Sequence, residues 1–158
     1  SAGCSTVSEQ IATGARVHTH TAHVVFVAID RERTIDFMGD KARVYATPAL
    51  VRDIEVACRE LLLPHLDPGE DSVGTRVEID HIGATLLGMT VTLAVRVAEV
   101  NGRAVVFEVE GRDDVEPIVR GRHARFVVDV AKTAQRLAAK AAKARQTAGH
   151  AGLAAPAA

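Results

Sequence analysis

The sequence is short of cysteine, of net charge and of long apolar runs, and each shortage excludes a class of protein. Cys4 and Cys58 are the only cysteines in 158 residues, too few for a disulfide framework. Cys58 falls on the apolar side of a helix pattern, so the thiols suit a reducing compartment and a cytoplasmic location is expected. Lys and Arg number 19 against 20 Asp and Glu, leaving a formal net charge of -1. A general nucleic-acid binder carries a strong basic excess, so no nucleic acid is expected as a partner. No apolar stretch approaches the ~18 residues of a membrane helix, and the first residues lack the apolar core of a signal peptide; no membrane association is expected.

What remains is 47% apolar and 25% charged, the profile of one soluble domain. Val17 to Ile29 alternates in two faces and reads as a long strand. Asp30 to Arg43 is polar and irregular. Thr47 to about Leu63 has helical periodicity and is closed by Pro64 and the Asp67-Pro68-Gly69 turn. Val73 to Asp80, Thr90 to Val100, Ala104 to Gly111 and Ile118 to Val130 read as four further strands, with Asn101-Gly102 as a hairpin signal. Lys132 to Arg145 is an Ala-rich basic helix, and Gly149 to Ala158 is expected to be disordered. Most such basic runs are solvated helix faces. The order predicts an α+β domain, a helix followed by mostly antiparallel strands. The strand 104–111 is apolar on both faces, so an oligomer, most simply a homodimer, is expected to cover a sheet face or edge.

The helix start is the first candidate for chemistry. Thr47 reads as the N-cap, with Pro48 at the first helical position, and free amides at such a start can hold an oxyanion. Leu50, Val51, Ile54, Ala57, Cys58, Leu61 and Leu62 make one apolar stripe, and Glu55 projects at its edge. A carboxylate there is partly desolvated and suited to general-base work; the competing assignment pairs it with Arg52 and Arg59 on a solvated face. His81 ends a strand before a glycine-bearing loop, where a histidine serves either as hydrogen-bonder or as catalyst. His18 and His20 share a strand face, but His23 points the other way and no carboxylate or cysteine adjoins them, so no metal site is expected.

At these residues the chain resembles the hotdog-fold acyl-CoA thioesterases, in particular their fluoroacetyl-CoA thioesterase-like branch. The similar stretches are Ala46-Thr47 with Glu55-Val56-Ala57-Cys58, then Pro64 to Glu70, Gly74-Thr75, His81, Ala84-Thr85 and Gly88, and finally Gly121, His123 and Arg125. The resemblance implies a hotdog fold, a long central helix wrapped by an antiparallel sheet, over residues 17–131. It would follow an N-terminal extension, 1–16, and precede a basic helical and then disordered tail, 132–158. It implies Thr47, Glu55 and His81 as the catalytic group, Gly74 and Arg125 at the thioester-binding site, and sites at a dimer interface, as a homodimer or a dimer of dimers. An acyl-CoA substrate and no cofactor are expected, with hydrolysis of short- to medium-chain acyl-CoA thioesters as the activity. A non-catalytic acyl-CoA-binding module is the alternative.

Two limits follow. Fluoroacetyl-specific members carry an aromatic-rich lid before Ala-Thr, whereas Met38 to Tyr45 here is short and charged, so that specificity does not transfer. Thr47 and Glu55 are eight residues apart, about 12 Å along a straight helix, so a direct bond between them is not expected. Glu55 is then the carboxylate that activates water or attacks the thioester, with His81 polarising or protonating. Thr47 is left as carbonyl-positioner or nucleophile, because spacing identifies no base for it.

Overall fold

The structure, a computed structural model, describes residues 16–151. Five antiparallel strands form one sheet in the order β1-β3-β4-β5-β2: β1 Ala22–Ala28, β2 Glu70–His81, β3 Thr90–Asn101, β4 Ala104–Arg112 and β5 Pro117–Asp129. Helix α1, Thr47–Leu62, packs against β1, β2 and β3 and ends in a short 3-10 turn, Leu63–His65. This is the central-helix-and-sheet arrangement expected.

The helical stripe predicts the buried face. Leu50, Ile54, Ala57, Cys58, Leu61 and Leu62 are all buried, and only Val51 of the expected set is partly exposed. Each of the large aliphatic residues contributes about 1.5–3 kcal/mol on burial. They meet Leu93, Val95, Val97, Val105, Phe107, Val109 and Val127 from the sheet. In β3, odd-numbered residues face the core as far as Val97; an irregularity between Val97 and Glu99 then shifts the parity, and Val100 is the next buried valine. The hairpin forms one residue later than its sequence signal. Asn101 pairs with Ala104, so Gly102 and Arg103 are the loop, and only Gly102 takes a positive φ, 62°.

Three expectations are corrected. The first strand begins at Ala22, not Val17: residues 19–20 form a turn with His20 at φ 71°, so His18 and His20 share no strand face. His20 contacts Arg96 instead, and His23 contacts Glu60. Val17 is nonetheless fully buried. Helix α2 spans Val130–Ala151, continuing directly from β5; Gly149 is therefore helical, while residues 152–158, like Cys4, lie outside the described residues. Its first turn is capped by Asp129, whose Oδ1 accepts from the Lys132 amide at 2.9 Å. Thr47 is the third correction, and it bears on the site. Among the described residues no helix is long and apolar enough to cross a membrane.

Candidate active site

Thr47 is the first residue inside α1, and Ala46, in an extended conformation, precedes it as the cap; no side chain caps this end. The chain is already held there by backbone bonds, from the Ala46 amide to Arg33 O at 2.8 Å and from the Tyr45 amide to Thr85 O at 2.8 Å. With the cap position shifted by one, the Thr47 hydroxyl is released from capping. It lies 2.8 Å from His81 Nδ1, the last residue of β2. Burial holds the His81 imidazole below the ordinary 6.5, opposed by a backbone hydrogen bond at Gly83. Above that pH the ring is neutral and can accept the Thr47 proton, provided the proton of the ring sits on Nε2. Nε2 is buried and makes no well-aligned hydrogen bond among the described residues.

A polar network beneath this pair fixes its geometry. Tyr45 is 2% exposed, donates its hydroxyl to Asp53 on α1, and sets its ring edge-on to His81 with centroids 6.2 Å apart. Asp53 also receives Arg33 through two bonds of 3.0 and 3.1 Å, a bidentate charge-assisted contact. Burial, and next the bond to Asp53, push the Tyr45 hydroxyl well above its usual value, keeping it a donor. From periodicity Asp53 points away from the apolar stripe, and no sequence signal joins it to Arg33 and Tyr45.

The second group lies two turns along α1. Glu55 Oε2 is 3.7 Å from Arg125 Nη1. Of the two alternative partners on the helix, Arg59 is taken by Asp71 at 2.7 and 2.9 Å, and Arg52 forms no ion pair with Glu55 among the described residues. Arg125 is 4% exposed and donates to Ser72 Oγ and Ser72 O, both at 2.8 Å. Gly74 sits where β2 is irregular between Gly74 and Arg76. A Cβ there would lie 2.9 Å from Glu55 Oε2 and 3.2 Å from His123 Cε1. Gly74 is thus what lets the carboxylate approach the strand. Gly74→Ala is expected to cost about 1–3 kcal/mol of stability, since the flexible end of Glu55 can move aside but the buried His123 ring has little room to give. The displaced carboxylate should lower turnover by about tenfold or more. Thermal unfolding and kcat, measured on one preparation, check both.

The five expected residues therefore form two groups. Thr47 and His81 share a cleft of about 350 Å³ with Ile35, Phe37, Val44 and Tyr45. Glu55 and Arg125 share another of about 300 Å³ with Pro48, Val51 and Arg52. No residue lines both, and no hydrogen bond joins Glu55 to Thr47 or His81 among the described residues. Phe37, one residue before the segment read as lidless, is 79% exposed at the mouth of the Thr47 cleft. Cys58 is inert: burial pushes its thiol up to about 12.

The chain matches the model of one protein family, described as fluoroacetyl-CoA-specific thioesterase, over residues 29–131. It is 38% identical over 89 residues to the fluoroacetyl-CoA thioesterase of Streptantibioticus cattleyicolor, a stretch covering 56% of this chain and 64% of that protein. The match thus spans just under two thirds of the relative's length. Among solved structures, it is similar to a threonine-to-serine variant of a fluoroacetyl-CoA thioesterase in complex with acetyl-CoA. There the TM-score is 0.73 and the identity 27%, over 78% of this chain and 98% of that one. A thioesterase superfamily member from Thermus thermophilus has a TM-score of 0.74 and 28% identity over 84% and 98% of the two chains.

Proposed function

The chain belongs to the fluoroacetyl-CoA-specific thioesterase family and has its hotdog fold, and we propose that it hydrolyses acyl-CoA thioesters with short to medium acyl chains, in the cytoplasm. The observation that carries the reading is the 2.8 Å contact between Thr47 Oγ1 and His81 Nδ1, because it supplies the base that spacing left unidentified. Thr47 Oγ attacks the thioester carbonyl while its proton passes to His81. The carbonyl oxygen gathers charge beside the free amides of the α1 start. The bond to sulfur breaks, and His81 returns the proton to the departing CoA thiolate. Glu55, held by Arg125 and Gly74, activates the water that releases the acid from Thr47, an ordinary division of one hard step into two. Release of CoA from acetyl- and butyryl-CoA, followed with a thiol reagent, tests the activity. Mass spectrometry of quenched reactions tests the acyl-threonine; with no hydrolysis of either ester the reading fails.

A second copy of the chain completes this site in the proposal. Thr47 and Glu55 lie about 12 Å apart along α1, too far to act on one carbonyl from the same chain. Strand β2 carries both Gly74 and His81, is paired on one edge only among the described residues, and exposes Val73 and Val77. Pairing of this edge with its copy continues the sheet and sets the two chains' groups side by side. Light scattering at micromolar concentration should give a dimer; a monomer near 16.7 kDa would count decisively against it.

Specificity follows from the cleft around Thr47. Its apolar walls are Ile35, Val44 and Ile82 with Phe37 at an exposed position, and its polar members Thr47 and His81 are engaged with each other, so the cleft offers little to single out fluorine. Pockets discriminate even a whole methylene by only about 1–3 kcal/mol. A kcat/KM ratio for fluoroacetyl- over acetyl-CoA below about 10³, equivalent to about 4 kcal/mol, is therefore expected. A larger ratio would assign Phe37 and its neighbours the work of a lid.

A further inference from the structure

We infer that His123 is a positioning residue: as a neutral imidazole protonated on Nδ1, it holds the Arg125 guanidinium in place against the Glu55 carboxylate. The inference rests on the reading of Glu55 as the carboxylate of a thioesterase site and extends it one layer into the sheet.

His123 is 1% exposed in the middle of β5. Its Nδ1 lies 2.8 Å from the backbone carbonyl of Arg76. A carbonyl can only accept, so Nδ1 carries the hydrogen and Nε2 of the neutral ring is bare. Nε2 in turn lies 3.3 Å from Arg125 Nη1, which must donate, since a guanidinium has no lone pair to offer. Arg125 is thus fixed at four points: Nε and Nη2 on Ser72, and Nη1 on His123 and, at 3.5 Å, on the backbone carbonyl of Glu55. The same Nη1 faces Glu55 at 3.7 Å. Take away the lone pair on Nε2 and the end of the guanidinium nearest Glu55 loses the nearer of its two fixed acceptors, keeping only the longer bond to the Glu55 carbonyl.

Protonation of His123 would do that. It would place a second N–H, and a second positive charge, 3.3 Å from Arg125. The charged or titratable groups facing the ring are Arg125 on its own strand and Glu55 on α1. From β4 it meets the stacked ring of Phe107, centroids 6.3 Å apart, and from β2 the Arg76 carbonyl. Burial is the main cause holding the imidazole below its ordinary 6.5, and Arg125 adds to it; the Arg76 bond and Glu55 work the other way. His123 is therefore neutral, and the arrangement intact, wherever the enzyme would work near neutral pH.

The test has a spectroscopic arm and a kinetic arm. In ¹⁵N-labelled protein, the His123 imidazole, assigned by its loss in His123→Gln, should show a protonated Nδ1 and a bare Nε2 at neutral pH. Its pKa should rise in Arg125→Met, where the neighbouring cation is gone. An Nε2-protonated ring, or an unmoved pKa, overturns the inference whether or not the protein hydrolyses acyl-CoA. Kinetically, His123→Gln keeps a donor and an acceptor but does not titrate. It should stay within about threefold of wild-type kcat above neutral pH while the acidic limb of kcat/KM becomes one proton less steep. His123→Phe keeps the ring but loses the acceptor, and should lower kcat about tenfold or more with little change in KM. An unchanged limb in His123→Gln or a wild-type kcat in His123→Phe overturns the inference, and His123→Gln decides it should the phenylalanine variant not fold. Absence of any hydrolysis by the wild type would sink the functional reading instead, with the spectroscopic arm still deciding the role of His123.

Discussion

Glu55→Gln is expected to lower acyl-CoA turnover by about 10²-fold or more, the usual effect of losing a positioned base. The substitution is nearly isosteric and leaves the side chain beside Gly74 and Arg125, so the fold should be kept. Glu55 has a side chain 40% exposed but faces a buried Arg125, so losing its charge costs some stability, while the bonds of Arg125 to Ser72 and His123 remain. What the amide cannot do is take a proton from water. The expected signature is a fall in kcat with KM near its wild-type value, and accumulation of acyl-enzyme on Thr47, because the deacylating water is no longer activated. A variant within about threefold of wild type, with its fold intact, would return Glu55 to the role of a surface ion-pair partner. Loss of activity without acyl-enzyme would instead place Glu55 in the first step.

His81→Ala and Thr47→Ala should each lower kcat by about 10²- to 10³-fold, and the double variant by little more, since residues acting as a unit are not additive. Thr47→Ser, which keeps the hydroxyl, should retain most of the rate. The wild-type profile adds a pH test with a definite sign. Burial lowers the His81 pKa below 6.5, so its neutral form persists somewhat below that value. The rate should then fall as pH drops through the lowered pKa, because protonated His81 cannot accept the Thr47 proton. Stability follows the same direction. His81 and His123 both have folded-state values lowered by burial. The unfolded chain therefore binds more protons, and the stability present above about pH 6.5 is lost as pH falls through the two lowered values. Urea unfolding midpoints at a series of pH values check this: a midpoint that rises on acidification from neutrality would contradict the burial of both rings. His123→Gln should remove part of the dependence.

The folding pattern is written locally, in periodicities that one sequence displays. The apolar residues of α1 recur at helical spacing from Leu50 to Leu62, and those of β3 alternate from Val91 to Val97, because each element must bury one face. These repeats determined the helix, four strands nearly to their ends, and the α+β order. Local chemistry misled by a small offset: threonine is a far better side-chain cap than alanine, and only backbone bonds to distant segments, Ala46 N to Arg33 O and Tyr45 N to Thr85 O, accompany the cap at Ala46. The same offset is what turns the Thr47 hydroxyl toward His81. The family motifs marked Thr47, Glu55, His81, Gly74 and Arg125 as a set, but residue spacing carries no distance across the sheet. Only the tertiary structure decided that they fall into two groups, Thr47 with His81 and Glu55 with Gly74 and Arg125. It alone joined Arg33, Asp53 and Tyr45, which lie on three separate segments, and brought His123 against a carbonyl 47 residues away. Pattern along a chain records which faces must be hidden from water. Which polar atoms then meet depends on strand register and bulges, such as the one beside Gly74, and those are settled by pairing between segments distant in sequence.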